Sequence, residues 1–193
     1  MEISIDVLKA LRDKTGVSVA QCKKALEEAG GDVAKAEVLL MKKSGAAAEK
    51  KADRELGAGV VGVYVHDGAI GAMVVLSCET DFVAKNPEFP ALAREIAMQV
   101  AATAPEYLAE SEIPEDKKAA AVAVFEKEVE GKPEEMKAKI LEGKLASYFQ
   151  SSVLLAQPYI KDESKSVKDL LNEATQKFGE RVEVTRFVRV SAR

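Results

Sequence analysis

Apolar positions recur at helical spacing through the first 45 residues and switch to strict alternation after residue 57. Ile3, Val7, Leu8 and Leu11 form one stripe, which Thr15-Gly16 ends. Ser18-x-x-Gln21 then has capping-box spacing, in which each side chain satisfies an orphan backbone N–H of the other residue, and Cys22, Leu26 and Ala29 continue a second stripe. Gly30-Gly31 stops it. Asp32 is placed to cap a third helix carrying Val33, Ala36, Leu39 and Leu40, whose pattern fades by Ser44-Gly45. Residues 1–45 are therefore predicted as a three-helix domain with a small core. Residues 46–56 are rich in Ala, Lys and Glu with almost no apolar stripe, which predicts a solvated helical linker. Residues 57–193 follow as a second domain.

In that domain Val61, Val63 and Val65 alternate with Gly62 and Tyr64, and Ile70, Ala72, Val74, Leu76 and Cys78 alternate beyond His66-Asp67-Gly68. Asp-Gly between alternating runs predicts a tight β-hairpin, because both residues tolerate the positive φ of such a turn. Asn86-Pro87 resembles a cap with a first-turn proline, opening a helix with Leu92, Ile96 and Val100 that Pro105 terminates. Two more helices are predicted, one from Pro114 to about Glu130, broken by Gly131, and one opening at Pro133. Ser166 caps a last helix carrying Val167, Leu170, Leu171, Ala174 and Phe178, closed by Gly179. A terminal strand then places Val182, Val184, Val188 and Val190 on one face, interrupted at Arg186. Three strands in one antiparallel sheet covered by helices make this an α+β fold.

Composition narrows the function. The 193 residues suffice for one well-packed domain and a satellite, with 47% hydrophobic residues to fill the core. A formal net charge of -4 argues against a surface built to neutralise a nucleic-acid backbone, so a protein partner is expected and no direct nucleic acid. Apolar runs such as residues 73–76 and 153–156 are far below the ~18 residues of a membrane span, so no membrane partner is expected. Glu2 and Asp6 stand where a signal peptide carries its cationic start and apolar stretch. Cys22 and Cys78 lack metal-ligand spacing and read as buried free thiols, consistent with a cytoplasmic protein.

Catalytic patterns are weak. Gly57-Ala58-Gly59-Val60-Val61-Gly62 satisfies G-x-G-x-x-G, but a helical linker enters it and a strand leaves, the reverse of a dinucleotide-binding turn, where the outgoing helix N-terminus holds the pyrophosphate. A flexible joint opening a strand accounts for it better. His66 is the only histidine and neither cysteine is near it in sequence, so no metal, cofactor or catalytic set is expected. The acidic clusters at residues 110–115 and 126–130 have interleaved lysines and read as solvated faces. The conspicuous segment is Cys78-Glu79-Thr80-Asp81-Phe82-Val83-Ala84-Lys85-Asn86, where a strand hands over to a short helix. Thr80 and Asp81 both suit an N-cap, and Phe82 either anchors the turn in the core or serves a contact.

At this segment the chain closely resembles elongation factor Ts. The resemblance also rests on Leu11-Arg12-Asp13-Lys14-Thr15-Gly16, Cys22-Lys23-Lys24-Ala25-Leu26, Lys50-Lys51-Ala52 and Gln157-Pro158-Tyr159-Ile160-Lys161-Asp162, in the expected order over nearly the whole chain. It implies a ubiquitin-associated-like first domain, an α+β core, and a non-enzymatic factor that promotes GDP release from elongation factor Tu, binding its GDP-bound and nucleotide-free forms. In that family the Asp-Phe pair, here Asp81 and Phe82, contacts the GTPase with the ring intruding near its Mg²⁺ and phosphate site; Thr80 and Val83 flank it. By the same resemblance the first domain docks on the GTPase through the loop at Val17 and Val19, for which a core role stands equally, and His66, Phe178 and Gly179 match further contact positions. His66, on a hairpin turn, is otherwise simply solvent-exposed.

Longer family members have two related core subdomains and an inserted helical hairpin, whereas this chain has length for one core copy. Short relatives pair two chains, which implies a homodimer binding two GTPases. Two other functions compete: a protein-binding adaptor using the three-helix domain, and a dinucleotide enzyme on the glycine segment.

Overall fold

A computed structural model describes residues 3–129 and 133–192. Helices α1 (Ile5–Thr15), α2 (Val19–Glu28) and α3 (Val33–Glu49) come first, capped by Ser4, Ser18 and Asp32, whose side chains accept from the backbone N–H of Asp6, Gln21 and Lys35. Ser18 thus supplies its half of the capping box. Leu11, Val17, Cys22, Leu26, Ala36 and Leu40 close a small core of their own. Helix α3 does not end where its apolar pattern fades. Ala46, Ala47 and Ala48 propagate it to Glu49, and Ser44 is buried with its hydroxyl donating to the Met41 carbonyl, 2.6 Å. The expected helical linker is therefore helical only in its first four residues, as the end of a helix that packs against the second unit through α8 (Val167–Phe178).

Strands β1 (Ala58–His66) and β2 (Ile70–Cys78) pair antiparallel across the turn at Asp67, φ 48°, and Gly68. Strand β5 (Val182–Ser191) pairs antiparallel with β2, giving sheet order β1-β2-β5. Helix α4 (Asp81–Ala84) follows β2 directly, and α5 (Glu88–Thr103) lies across the sheet. Asn86 precedes the N-cap position, which Pro87 holds, one residue later than expected, and its side chain accepts from the Glu88 N–H, 3.0 Å. Phe89, Ala93, Ile96, Ala97 and Val100, at helical spacing, meet the inward row Ala72, Val74, Leu76 and Cys78, whose alternation matches the pleat. The approach is closest at Gly62, where a Cβ would lie 2.3 Å from the carbonyl carbon and oxygen of Ala93. The glycine segment is thus no flexible joint: it lies at and within a strand, and its last glycine makes room for a helix.

Strand β5 departs from the expected single face. One extra residue, Thr185, interrupts its pairing between Val75↔Arg186 and Leu76↔Val184. Val182 and Val184 face the core, and after the bulge Phe187 and Arg189 take the inward positions while Val188 and Val190 are exposed. The Arg189 guanidinium donates to the Ala101 carbonyl of α5, 3.0 Å. The outer face of the sheet consequently carries Val61, Val63, Val65, Met73, Val188 and Val190, all exposed.

Helices α6 (Glu115–Glu128) and α7 (Glu134–Phe149) form a hairpin beside the core. The expected helix end at Glu130-Gly131 lies outside the described residues. A small hairpin of β3 (Pro158–Tyr159) and β4 (Asp162–Ser166), absent from the sequence reading, leads into α8. It is held by the Gln157-Pro158-Tyr159-Ile160-Lys161-Asp162 run. The buried Gln99 amide donates to Gln157 Oε1 and the Pro158 carbonyl and accepts from the Ile160 N–H, while the Tyr159 hydroxyl and Lys161 both reach Glu95. No described helix is long and apolar enough to cross a membrane.

Candidate functional site

The sheet ladder between β2 and β5 ends at Cys78↔Val182, and the conspicuous segment begins there. Its next residues turn into α4, whose single turn is closed by the Ala84 N–H on the Thr80 carbonyl and the Lys85 N–H on the Asp81 carbonyl, 3.3 and 3.0 Å. Val83 enters the core and is 4% exposed. Phe82 points the other way and is 83% exposed. Burying a phenylalanine is worth about 2–3 kcal/mol, so a ring left in water on an ordered helix is not serving the fold. The anchoring alternative for Phe82 is overturned, and Val83 is the anchor.

Asp81, also exposed, forms an i,i+4 ion pair with Lys85, and that bond holds its carboxyl below the usual carboxylate range. Thr80 occupies the N-cap position but makes no side-chain cap bond. Its hydroxyl and its backbone N–H instead donate to the two carboxylate oxygens of Glu180, 2.6 and 2.9 Å. Glu79 mirrors this arrangement. Its carboxylate accepts from the Arg181 backbone N–H at 2.6 Å and from the Arg54 guanidinium at 3.2 Å. These bonds lower its pKa, the backbone N–H foremost. The buried Cys78 thiol donates to the Thr80 carbonyl, 3.2 Å, and burial pushes its pKa up.

Phe178 and Gly179 lie in the facing turn. Phe178 packs edge-on against Phe89, centroids 5.6 Å apart, and Gly179 ends α8 with φ 74°, a left-handed conformation that a side chain would strain. The Lys51 ammonium donates to the Gly179 carbonyl, and the Arg181 guanidinium to the Arg54 carbonyl, so residues 51–54 are tied to the same turn. One residue before Phe178, the Lys177 side chain reaches Gly16: a Cβ there would lie 2.7 Å from Lys177 Cε. The α1–α2 turn thus abuts the end of α8. Within it Val17 is buried among Leu11, Cys22 and Leu26, and Val19 is half-exposed at the start of α2.

Thr80, Asp81, Phe82, Val83, Phe178 and Gly179 come together, with the α1–α2 turn adjoining. His66 does not join them. It closes the β1–β2 hairpin at the other end of the sheet, about 26 Å away by strand rise, with its Nδ1 3.0 Å from the Tyr64 hydroxyl. Sequence reasoning named Glu79 only as part of the segment, without its role, and missed Glu180 and Arg181, which it meets across two segments a hundred residues apart, and Arg54. No sequence pattern announces such a pairing. Among the described residues no group of three or more His, Cys, Asp or Glu side chains is arranged to hold a metal ion.

Comparison with known proteins gives one family. A family model described as Elongation factor TS matches residues 6–193. Elongation factor Ts of Coprothermobacter proteolyticus is 47% identical over 192 residues, covering 98% of each chain. The same-named proteins of Thermotoga neapolitana and Myxococcus xanthus are 46% and 44% identical, covering 98% and 97% of this chain and 96% and 88% of their own lengths. With the α+β architecture and a match over nearly its whole length, the chain belongs to the elongation factor Ts family of translation elongation factors.

Proposed function

We propose that this protein is a cytoplasmic guanine-nucleotide exchange factor for elongation factor Tu, binding its GDP-bound and nucleotide-free forms, with Phe82 as the intruding group and Asp81 beside it. The observation that carries this reading is the exposure of Phe82 on a turn braced from behind by Val83. A GTPase holds its diphosphate through backbone N–H groups, a lysine and Mg²⁺, so a ring that displaces the Mg²⁺-side elements weakens the strongest charges on the nucleotide. Release accelerates without a covalent step. Coupling is reciprocal: a factor that weakens GDP binding is itself expelled by incoming nucleotide. Thr80, Phe178 and Gly179 lie at or facing this turn, while Val17 and Val83 are buried in the two cores and His66 stands at the other end of the sheet.

The test follows fluorescent GDP leaving elongation factor Tu with catalytic amounts of this protein. Faster release, lost on Phe82→Ala with folding intact, is the expected result; unchanged release with the variant would assign the effect elsewhere.

We further propose a homodimer formed through the outer face of the sheet. Val61, Val63, Val65, Met73, Val188 and Val190 make a contiguous apolar surface on three strands, more than a solvated sheet face ordinarily carries. Two such faces related by a two-fold axis would cover one another and leave both Phe82 rings outside. Light scattering coupled to size exclusion tests this, and a persistent, fully active monomer would refute it.

A further inference from the structure

The β2–β5 ladder stops at Cys78↔Val182, yet the two chains stay joined for two further residues on each side. Glu79 accepts from the backbone N–H of Arg181, and Glu180 accepts from the backbone N–H of Thr80. Two carboxylates thus replace the carbonyls that a continuing ladder would supply, in a reciprocal exchange. A carboxylate acceptor strengthens each bond over a neutral carbonyl. Glu180 adds a second bond that no ladder offers, from the Thr80 hydroxyl at 2.6 Å.

That second bond explains why Thr80 makes no side-chain cap bond at α4: its hydroxyl is directed to Glu180. Helix α4 has only four residues and cannot hold its own orientation. It is fixed on the core side by Val83 and on the entering backbone by Glu180. Glu180 in turn follows Gly179, whose carbonyl Lys51 engages.

We propose that Glu180 is a positioning residue for Phe82: its carboxylate grips Thr80 at two points and thereby holds the projecting turn in one orientation. This rests on the exchange reading only for its consequence; the grip itself is separately measurable. The chain contains no tryptophan, so Phe82→Trp introduces a single fluorophore at the exposed position.

Time-resolved anisotropy of that tryptophan reads the motion of the turn without any partner. Glu180→Gln and Thr80→Val should each raise the amplitude of the fast component about two-fold or more, and their effects should not add, since the hydroxyl bond lost in Thr80→Val is one of the two that Glu180 makes. Thr80→Ser, which keeps the hydroxyl, should behave as the parent. With Phe82 intact, Glu180→Gln and Thr80→Val should each lower the maximal rate of GDP release from elongation factor Tu about tenfold or more, the worth of one charge-assisted hydrogen bond. Unchanged anisotropy in folded Glu180→Gln and Thr80→Val chains would overturn the grip. A mobile turn with an undiminished release rate would overturn its positioning role. If the parent chain itself fails to accelerate release, the exchange reading falls while the anisotropy still decides the grip.

Discussion

Phe82 and Val83 are neighbours in sequence and opposites in environment: the ring stands in solvent at 83% exposure while the valine beside it is 4% exposed in the sheet–helix core. Their truncations should separate. Phe82→Ala should leave the unfolding free energy within about 0.5 kcal/mol of the parent, as an exposed substitution does. Val83→Ala removes two buried methyl groups and should cost about 1–2.5 kcal/mol. Urea titration of both variants, followed by circular dichroism, provides the comparison.

Gly62 lies where the α5 backbone comes nearest the sheet. A Cβ at 2.3 Å from Ala93 backbone atoms cannot be accommodated by rotating a side chain, so β1 and α5 must separate. Gly62→Ala should therefore destabilise by about 2 kcal/mol or more, although alanine is nominally the better strand residue. Thermal unfolding by calorimetry checks this, with Gly68→Ala as a contrasting site that meets open space but holds a positive φ.

Gln157 ties α5 to the turn after α7: its Oε1 accepts from Gln99 and from the Thr103 hydroxyl, and its amide donates to the Ser151 carbonyl. Gln157→Leu keeps the volume but leaves the buried Gln99 amide short of an acceptor, at a cost of about 1–3 kcal/mol. Gln99→Leu combined with Gln157→Leu should recover part of that loss. A double-mutant cycle by urea unfolding measures the coupling.

Alkaline pH should unfold the protein through two buried acids. Burial pushes the Cys78 thiol above its ordinary 9.0, and burial with the Glu95 hydrogen bond pushes the Tyr159 phenol above its ordinary 10.0. A group with its folded pKa raised gives up its proton first in the unfolded chain. Its contribution is complete below the unfolded value and declines as pH rises through the folded one. The melting temperature should fall from about pH 9 upward, and in Cys78→Ala the decline should begin later while its slope above pH 10 persists.

Val63 and Val188 lie on the outer sheet face, on strands that flank β2. Lysine at either position is tolerated by an exposed strand but not by a covered one. Val63→Lys and Val188→Lys should shift the particle from dimer to monomer mass in light scattering while the far-ultraviolet spectrum stays unchanged.

The elements with strong periodicity were legible in the sequence: α1, α2, α5, α8 and the β1–β2 hairpin each pair a clear apolar row with a cap or turn residue. The end of α3 was less so, because its alanines propagate a helix without leaving an apolar stripe. The face of β5 was misread past Arg186, since alternation cannot register one inserted residue. At the candidate site, Asp81 and Phe82 were found through resemblance, and their flanking residues through position. Whether the ring is in or out was undecidable, because on a one-turn helix adjacent residues compete for one inward direction. The grip of Glu180 on Thr80 joins segments a hundred residues apart and exists only once the sheet has formed.

The bulge at Thr185 lets one strand line the protein's interior with one half and offer an apolar exterior with the other. What matters is that the extra residue is left out of the ladder: with Thr185 regularly paired, Val188 and Val190 would turn inward and Phe187 and Arg189 would swing out. Deleting Thr185 would let Arg186 follow Val184 directly, which removes the bulge but keeps Phe187 and Arg189 inward and Val188 and Val190 outside. The constraint thus lies on the spacing of the chain rather than on its chemistry: Val184 and Phe187 must keep facing inward across the extra residue.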